Sequence, residues 1–266
     1  MKKALTIAGS DSGGGAGIQA DIKTFTAFGV FGTSAITALT AQNTMGVQGI
    51  SEVDPEFVKQ QIKSVLDDIG ADAVKTGMLA SPEIVKAVAD TLREYKTKNI
   101  VVDPVMIAKS GDALLSKEAC NTVIKELIPI ASVVTPNIHE AEAMLNIRIE
   151  NIDDMKKAGA MIKDMGCGFV VIKGGHLGSK DHMATDVVFN GKEYSLLSEK
   201  RFDTKNCHGT GCTFSAAIAA GLAKGYPVIK AIEQAKAFIT AAIRDSFRIG
   251  NGHGPTNHFT GMKTGW

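Results

Sequence analysis

Short runs rich in valine and isoleucine alternate along this chain with segments whose apolar residues recur at helical spacing, and that rhythm restricts the fold most. Residues 4–8, 34–41, 74–76, 100–102, 133–135 and 169–172 read as strands. Between them, Ile18, Ile22, Phe25 and Phe28 form one stripe of a helix over 17–28. Asp54-Pro55 and Ser81-Pro82 each offer an N-cap oxygen followed by proline at the first helical position. Further helices are expected over 117–128 and 154–165, and from 211 to about 247 with a break near Gly225-Tyr226-Pro227. Asn190-Gly191, between strands 184–189 and 193–197, marks a hairpin. Apolar strands separated by helices imply an α/β fold, a mostly parallel central sheet flanked by helices on both faces. With no linker, repeat or low-complexity stretch, a single domain over residues 1–266 is expected.

Composition narrows the partners. Hydrophobic residues make up 44% of the 266, and charged residues 21%, enough for a large core and against disorder. A formal net charge of +1 without a basic stripe gives no footprint for nucleic acid or a membrane surface, so a small molecule is the expected partner. The apolar run after Met1-Lys2-Lys3 is too short for a signal-peptide core, and none approaches the ~20 residues that span a bilayer. The four cysteines lack zinc-ligand spacing. A cytoplasmic location follows as an expectation.

Ligands of such sheets bind beyond the carboxyl ends of the strands. There the sequence places Gly9-Ser10-Asp11, Gly77-Met78, Asp103-Pro104, Pro136-Asn137 and Lys173-Gly174-Gly175, all polar or glycine-rich. Turns alone would explain any one of them. The run Gly13-Gly14-Gly15-Ala16-Gly17 fits neither the dinucleotide fingerprint nor a Walker A loop, and serves a substrate loop and a tight turn equally well. His208-Gly209-Thr210-Gly211-Cys212 precedes a helix expected to begin around Thr213, where unpaired N–H groups suit an anion. In its first turn the helix field would lower the Cys212 thiol pKa, fitting it to take a proton from an attacking hydroxyl. A small buried cysteine in an alanine-rich helix is the plainer alternative. Asn137 and Glu140, three apart, would share one face of a first turn and could hold Mg²⁺ through its waters, or Glu140 could only complement the helix dipole. Asp103 and Lys173 could act around phosphates. The Gln42 carboxamide suits the ring nitrogen and amino group of an aminopyrimidine, with Met78 as an apolar wall. The histidines show no metal-binding spacing, and no catalytic role is assigned to them.

In this order and spacing the segments closely resemble the ribokinase-like superfamily and, within it, the hydroxymethylpyrimidine/phosphomethylpyrimidine kinases of thiamine biosynthesis. The carriers are Gly9-Ser10-Asp11, Gly14-Gly15-Ala16-Gly17, Ala41-Gln42-Asn43-Thr44, Lys75-Thr76-Gly77-Met78, Asp103-Pro104-Val105-Met106, Thr135-Pro136-Asn137, Lys173-Gly174-Gly175-His176 and the 208–213 run. The resemblance implies a three-layer α/β/α fold, ATP and Mg²⁺, a homodimer, and two successive phosphorylations of a hydroxymethylpyrimidine. It also implies that Gly9, Ala16, Gln42, Met78 and Val105 line the pyrimidine pocket. Gly209, Thr210 and Gly211 would form an anion hole, with Cys212 as base where most of the superfamily has aspartate. Asn137 and Glu140 would be the Mg²⁺-associated pair, with Asn137, Lys173 and Asp103 near the nucleotide phosphates.

Two rivals are expected to be separable. Pyridoxal kinases of the same subfamily tend to carry a cysteine two residues after the Val-Met pair, where this chain has Ala108. A non-catalytic pyrimidine-binding protein would bind the ring without releasing ADP.

Overall fold

The computed structural model describes residues 1–106, 116–175, 177, 182–260 and 262. Its strands in chain order are β1 (Lys3–Asp11), β2 (Phe31–Asn43), β3 (Gly46–Glu52), β4 (Ala73–Thr76), β5 (Ile100–Val102), β6 (Val133–Val134), β7 (Phe169–Ile172), β8 (Met183–Phe189) and β9 (Tyr194–Lys200). All join one sheet in the order β3-β2-β1-β4-β5-β6-β7-β8-β9. The pairs from β2 through β7 are parallel, and β3, β8 and β9 add antiparallel edges. Chain order reverses at β1, where β2 lies on one side and β4 on the other, so the crevice of this sheet opens beyond β1.

The helices are α1 (Gly17–Ala27), α2 (Pro55–Asp68), α3 (Pro82–Glu94), α4 (Lys117–Thr122), α5 (Ile138–Leu145), α6 (Ile152–Lys163), α7 (Thr210–Ala223) and α8 (Val228–Arg244). Strand side chains alternate between two cores. Leu5, Ile7, Val74 and Val102 pack with α2 to α6, while Ala4, Ala73 and Val101 pack with α1, α7 and α8. The three-layer expectation holds. Asp54 and Ser81 cap α2 and α3 with proline at the first turn, as their sequences require.

One local expectation is corrected, one strand is new, and one expected hairpin is present with a longer loop. The helix foreseen over 117–128 ends as α4 at Thr122, continues as a π-turn over Val123–Leu127 and closes as a 3-10 turn at Ile128–Ile130. Proline at position 129, without an N–H, cannot propagate a regular helix. Strand β3 was not foreseen, because both of its faces are open and its side chains carry no burial pattern. The hairpin at Asn190-Gly191 is present, but its register pairs Phe189 with Tyr194, and the Asn190 side chain accepts from the N–H groups of Lys192 and Glu193.

After α8 the chain returns across the site. Gly252 and His253 donate backbone N–H groups to Thr44 (3.2 and 2.8 Å). His208 donates to Gly254 O (3.0 Å), and Thr256 donates to His208 O (3.2 Å). Beyond them, buried His258 meets the Thr213 hydroxyl at 2.9 Å, and burial pulls its imidazole pKa down to about 4.

Candidate active site

The 208–212 loop and α7 supply the candidate anion-binding element. The helix begins at Thr210 rather than near Thr213, with Gly209 as N-cap at φ 77°. Its first intrahelical bond runs from Thr213 N–H to Gly209 O (2.9 Å), so the N–H groups of Gly211 and Cys212 precede the ladder. A Cβ on Gly209 would fall 1.9 Å from Gly15 O. Only glycine fits there, on backbone angle and on space alike.

Opposite this loop, Asp11 ends β1 and organises the glycine run. Its carboxylate accepts N–H groups from Gly13 (2.8 Å), Gly15 (3.0 Å) and Ala16 (2.8 Å), which folds 11–16 into a turn. Its remaining partner is His208, whose Nε2 lies 3.0 Å from Asp11 Oδ2. These hydrogen bonds and the His208 charge hold Asp11 below the usual carboxylate range despite burial, which acts in the opposite direction. His208 Nε2 also lies 3.3 Å from Gln42 Nε2, so the carboxamide expected to read a ring stands beside the anion loop. His208, to which no catalytic role is assigned from sequence, lies beside both residues, and spacing along the chain could not show that residues 11, 42 and 208 converge. Gly9 lies against the Met78 methyl, where an added Cβ would come within 2.5 Å of Met78 Cε.

A second cluster sits beneath α7. Asp103 is 2% exposed and accepts from Lys173 Nζ (2.9 Å), the Thr135 hydroxyl (3.2 Å) and the Ser215 hydroxyl (3.1 Å). Asp103 holds Lys173 in place, and its Oδ2 lies 3.5 Å from where a Gly211 Cβ would stand, beside the 208–212 loop. Lys173 Nζ lies 3.3 Å from where a Gly211 Cβ would stand, beside the anion loop. Lys75 and Asp21 form an ion pair at 2.8 Å with both side chains fully buried, joined by the Thr6 hydroxyl at 2.6 Å. The Asp21 charge keeps Lys75 protonated against burial, which by itself would lower its pKa. Neither had been assigned a role; a lysine in an apolar strand was the available signal.

Cys212 faces this cluster, and the Gly17 N–H points at its sulfur. The lowered thiol pKa expected from the helix field is not found. Burial pushes it up to about 11, Lys75 draws it back, and Asp21 and Asp103 add to the rise.

Asn137 and Glu140 form a capping box on α5: Asn137 Oδ1 accepts from Glu140 N–H (2.9 Å), and Glu140 Oε2 accepts from Asn137 N–H (2.7 Å). Burial and the Asp103 charge raise Glu140 to about 7, against the opposing pull of Lys173. Val105 follows Asp103 and donates its N–H to that residue's carbonyl (2.8 Å). Ala108 lies outside the described residues.

The helix start, lysine and thiol at the carboxyl ends of the parallel sheet are the candidate phosphotransfer site, and the chain is a kinase of ribokinase-like fold. A family model described as phosphomethylpyrimidine kinase matches residues 11–257, and the chain belongs to that family. It is 50% identical over 257 residues to the hydroxymethylpyrimidine/phosphomethylpyrimidine kinase of Bacillus subtilis, covering 97% of this chain and 94% of that one. It is equally 50% identical to the thiamine biosynthesis bifunctional protein ThiED of Geobacter sulfurreducens, over 96% of this chain and 51% of that longer protein. Among solved structures, an ADP complex of Bacillus subtilis pyridoxal kinase is 43% identical, covers 97% of this chain and 98% of that one, and superposes with a TM-score of 0.91.

Proposed function

We propose that this kinase transfers the γ-phosphoryl group of ATP to the hydroxymethyl group of 4-amino-5-hydroxymethyl-2-methylpyrimidine, and then to the resulting monophosphate, in thiamine biosynthesis. The observation that carries the reading is the Gln42 carboxamide, 3.3 Å from the histidine that opens the anion loop. A ring held by Gln42 between Gly9, Ala16, Met78 and Val105 would present its hydroxymethyl arm to Gly209–Cys212.

The chemistry follows from charge placement. Phosphoryl transfer passes through a loose transition state, so positioning and neutralisation matter more than base strength. The N–H groups at the start of α7 would receive the transferring group, and Lys173, aimed by Asp103, would meet the nucleotide oxygens. The Cys212 thiol is protonated at rest, so it would first lose its proton to solvent, and as thiolate it would take the hydroxyl proton as the new O–P bond forms and the bond to ADP breaks. Magnesium brought by the nucleotide would supply further neutralisation of phosphate charge. The donor set fits this: Glu140 offers one hard carboxylate, suited to an ion that keeps its waters. Asn137 spends its oxygen on the cap and fits only an outer place.

A single sheet holding every described strand supports one domain over 1–266. The open edge at β2 and β3, with Leu39, Met45, Val47 and Ile50 exposed, supports a homodimer. Among the described residues no helix is long and apolar enough to cross a membrane, which fits the expected cytoplasmic setting. The pyridoxal kinase likeness favours a second reading, phosphorylation of pyridoxal, as a side activity.

The test is ADP release from ATP-Mg²⁺ with the hydroxymethylpyrimidine, its monophosphate and pyridoxal side by side. Strong turnover of both pyrimidines, cut at least a hundredfold by Cys212→Ala with ATP affinity retained, is expected. Turnover of pyridoxal alone would put the chain in the other branch, and equal losses of rate and ATP affinity would remove Cys212 as base.

A further inference from the structure

The protons around Gln42 do not balance unless its carboxamide is turned. Thr40 Oγ1 lies 2.9 Å from Ser10 O and 3.1 Å from Gln42 Oε1. The hydroxyl has one proton, and the carbonyl of Ser10 can only accept it, so lone pairs of Thr40 face Gln42. At the other end, Gln42 Nε2 stands 3.3 Å from His208 Nε2. That ring nitrogen is itself 3.0 Å from Asp11 Oδ2. Asp11 already accepts three backbone N–H groups and is held ionised, so it cannot donate, and His208 Nε2 must carry the proton. Two donors would then confront each other at one end of the carboxamide and two acceptors at the other. Exchanging the amide oxygen and nitrogen removes both conflicts. Gln42 then donates to Thr40, and its carbonyl shares the single Nε2 proton of His208 with Asp11 Oδ2 in a bifurcated hydrogen bond.

His208 is built to hold this position. Its backbone is tied on both sides by the 254–256 segment. Its ring fills the space that a Cβ on Gly15 would take, 2.5 Å from His208 Cδ2. We infer that His208 is a specificity-positioning residue: through its Asp11-oriented Nε2–H it fixes which end of the Gln42 carboxamide donates and which accepts. After those contacts Gln42 keeps one N–H and one carbonyl lone pair. An aminopyrimidine offers an acceptor ring nitrogen beside a donor amino group, so only one polarity of the carboxamide can pair with both. The reversed polarity sets donor against donor and acceptor against acceptor, which is how a polar site rejects a ring of the wrong pattern.

The inference rests on Gln42 as the ring contact, and the experiment separates the two. Steady-state constants are measured for the hydroxymethylpyrimidine, pyridoxal and ATP with wild type, Gln42→Leu, His208→Phe, His208→Gln and the Gln42→Leu/His208→Phe pair. His208→Phe should raise KM for the pyrimidine about tenfold, with a much smaller change in kcat and in KM for ATP. His208→Gln, which can still donate, should restore part of the loss. The pair should be little worse than Gln42→Leu alone, because one change has removed what the other orients. An unchanged KM in folded His208→Phe, or a full additional loss in the pair, overturns the role of His208 while leaving Gln42 in place. An unchanged KM in Gln42→Leu removes the ring contact and the inference together. The ¹⁵N shifts of His208 in the wild type give a reading that needs no variant: a proton on Nε2 is expected, and an unprotonated Nε2 overturns the assignment.

Discussion

At Cys212 the helix start and the desolvated cluster beneath it pull the thiol in opposite directions, and burial wins. The raised pKa of about 11 means that the thiolate fraction grows throughout the range from neutral to alkaline pH. If the thiol acts only as thiolate, log kcat should climb with a slope near one from neutral pH upward and level off only as pH nears 11, and Cys212→Ser should flatten it. A level profile in the wild type would show that the proton leaves by another route. Single residues were unevenly legible. Lys173 and the 209–212 run announced themselves by residue type at strand and helix ends. Asp11, His208, Lys75 and Asp21 did not, because each acts through a partner tens of residues away, and only folding brings such pairs within 3.0 Å.

Among the elements, α5 shows how one carboxylate can serve a cap and a charge cluster together. Glu140 is raised from 4.5 to about 7, so its ionisation weighs against the fold. The sign is fixed by linkage: a carboxyl harder to ionise in the folded chain costs stability as pH rises from 4.5 to 7, and that cost is constant above. Glu140→Gln keeps both hydrogen-bonding ends of the capping box. It should therefore melt higher than wild type at pH 8, with the gain fading near pH 4.5, while its Mg²⁺ requirement rises. Calorimetry at several pH values reads the first effect and metal titration of turnover the second; equal melting at pH 8 would contradict the buried ionisation. Most elements were visible from apolar periodicity and caps, as at Asp54-Pro55 and Ser81-Pro82. Strand β3 escaped because nothing covers it, and the π-turn escaped because its residues have the same spacing as a regular helix until Pro129 ends it.

For the molecule as a whole, the sheet ends in two unlike edges, and the β3 edge carries exposed Val47 and Ile50 beside Leu39 and Met45. Unpaired, apolar edge strands are templates for association. Ile50→Lys should convert a dimer to a monomer in analytical ultracentrifugation, and a wild type that sediments as a monomer at micromolar concentration would remove the proposal. The return of residues 252–258 across the site has a further consequence for how the chain comes into being. Every strand is synthesised before these residues exist, so a growing chain can complete its sheet while the backbone of His208 still lacks its bonds to Gly254 and Thr256. Folding of the sheet can therefore run ahead of the bonds that tie His208 in place beside Asp11 and Gln42.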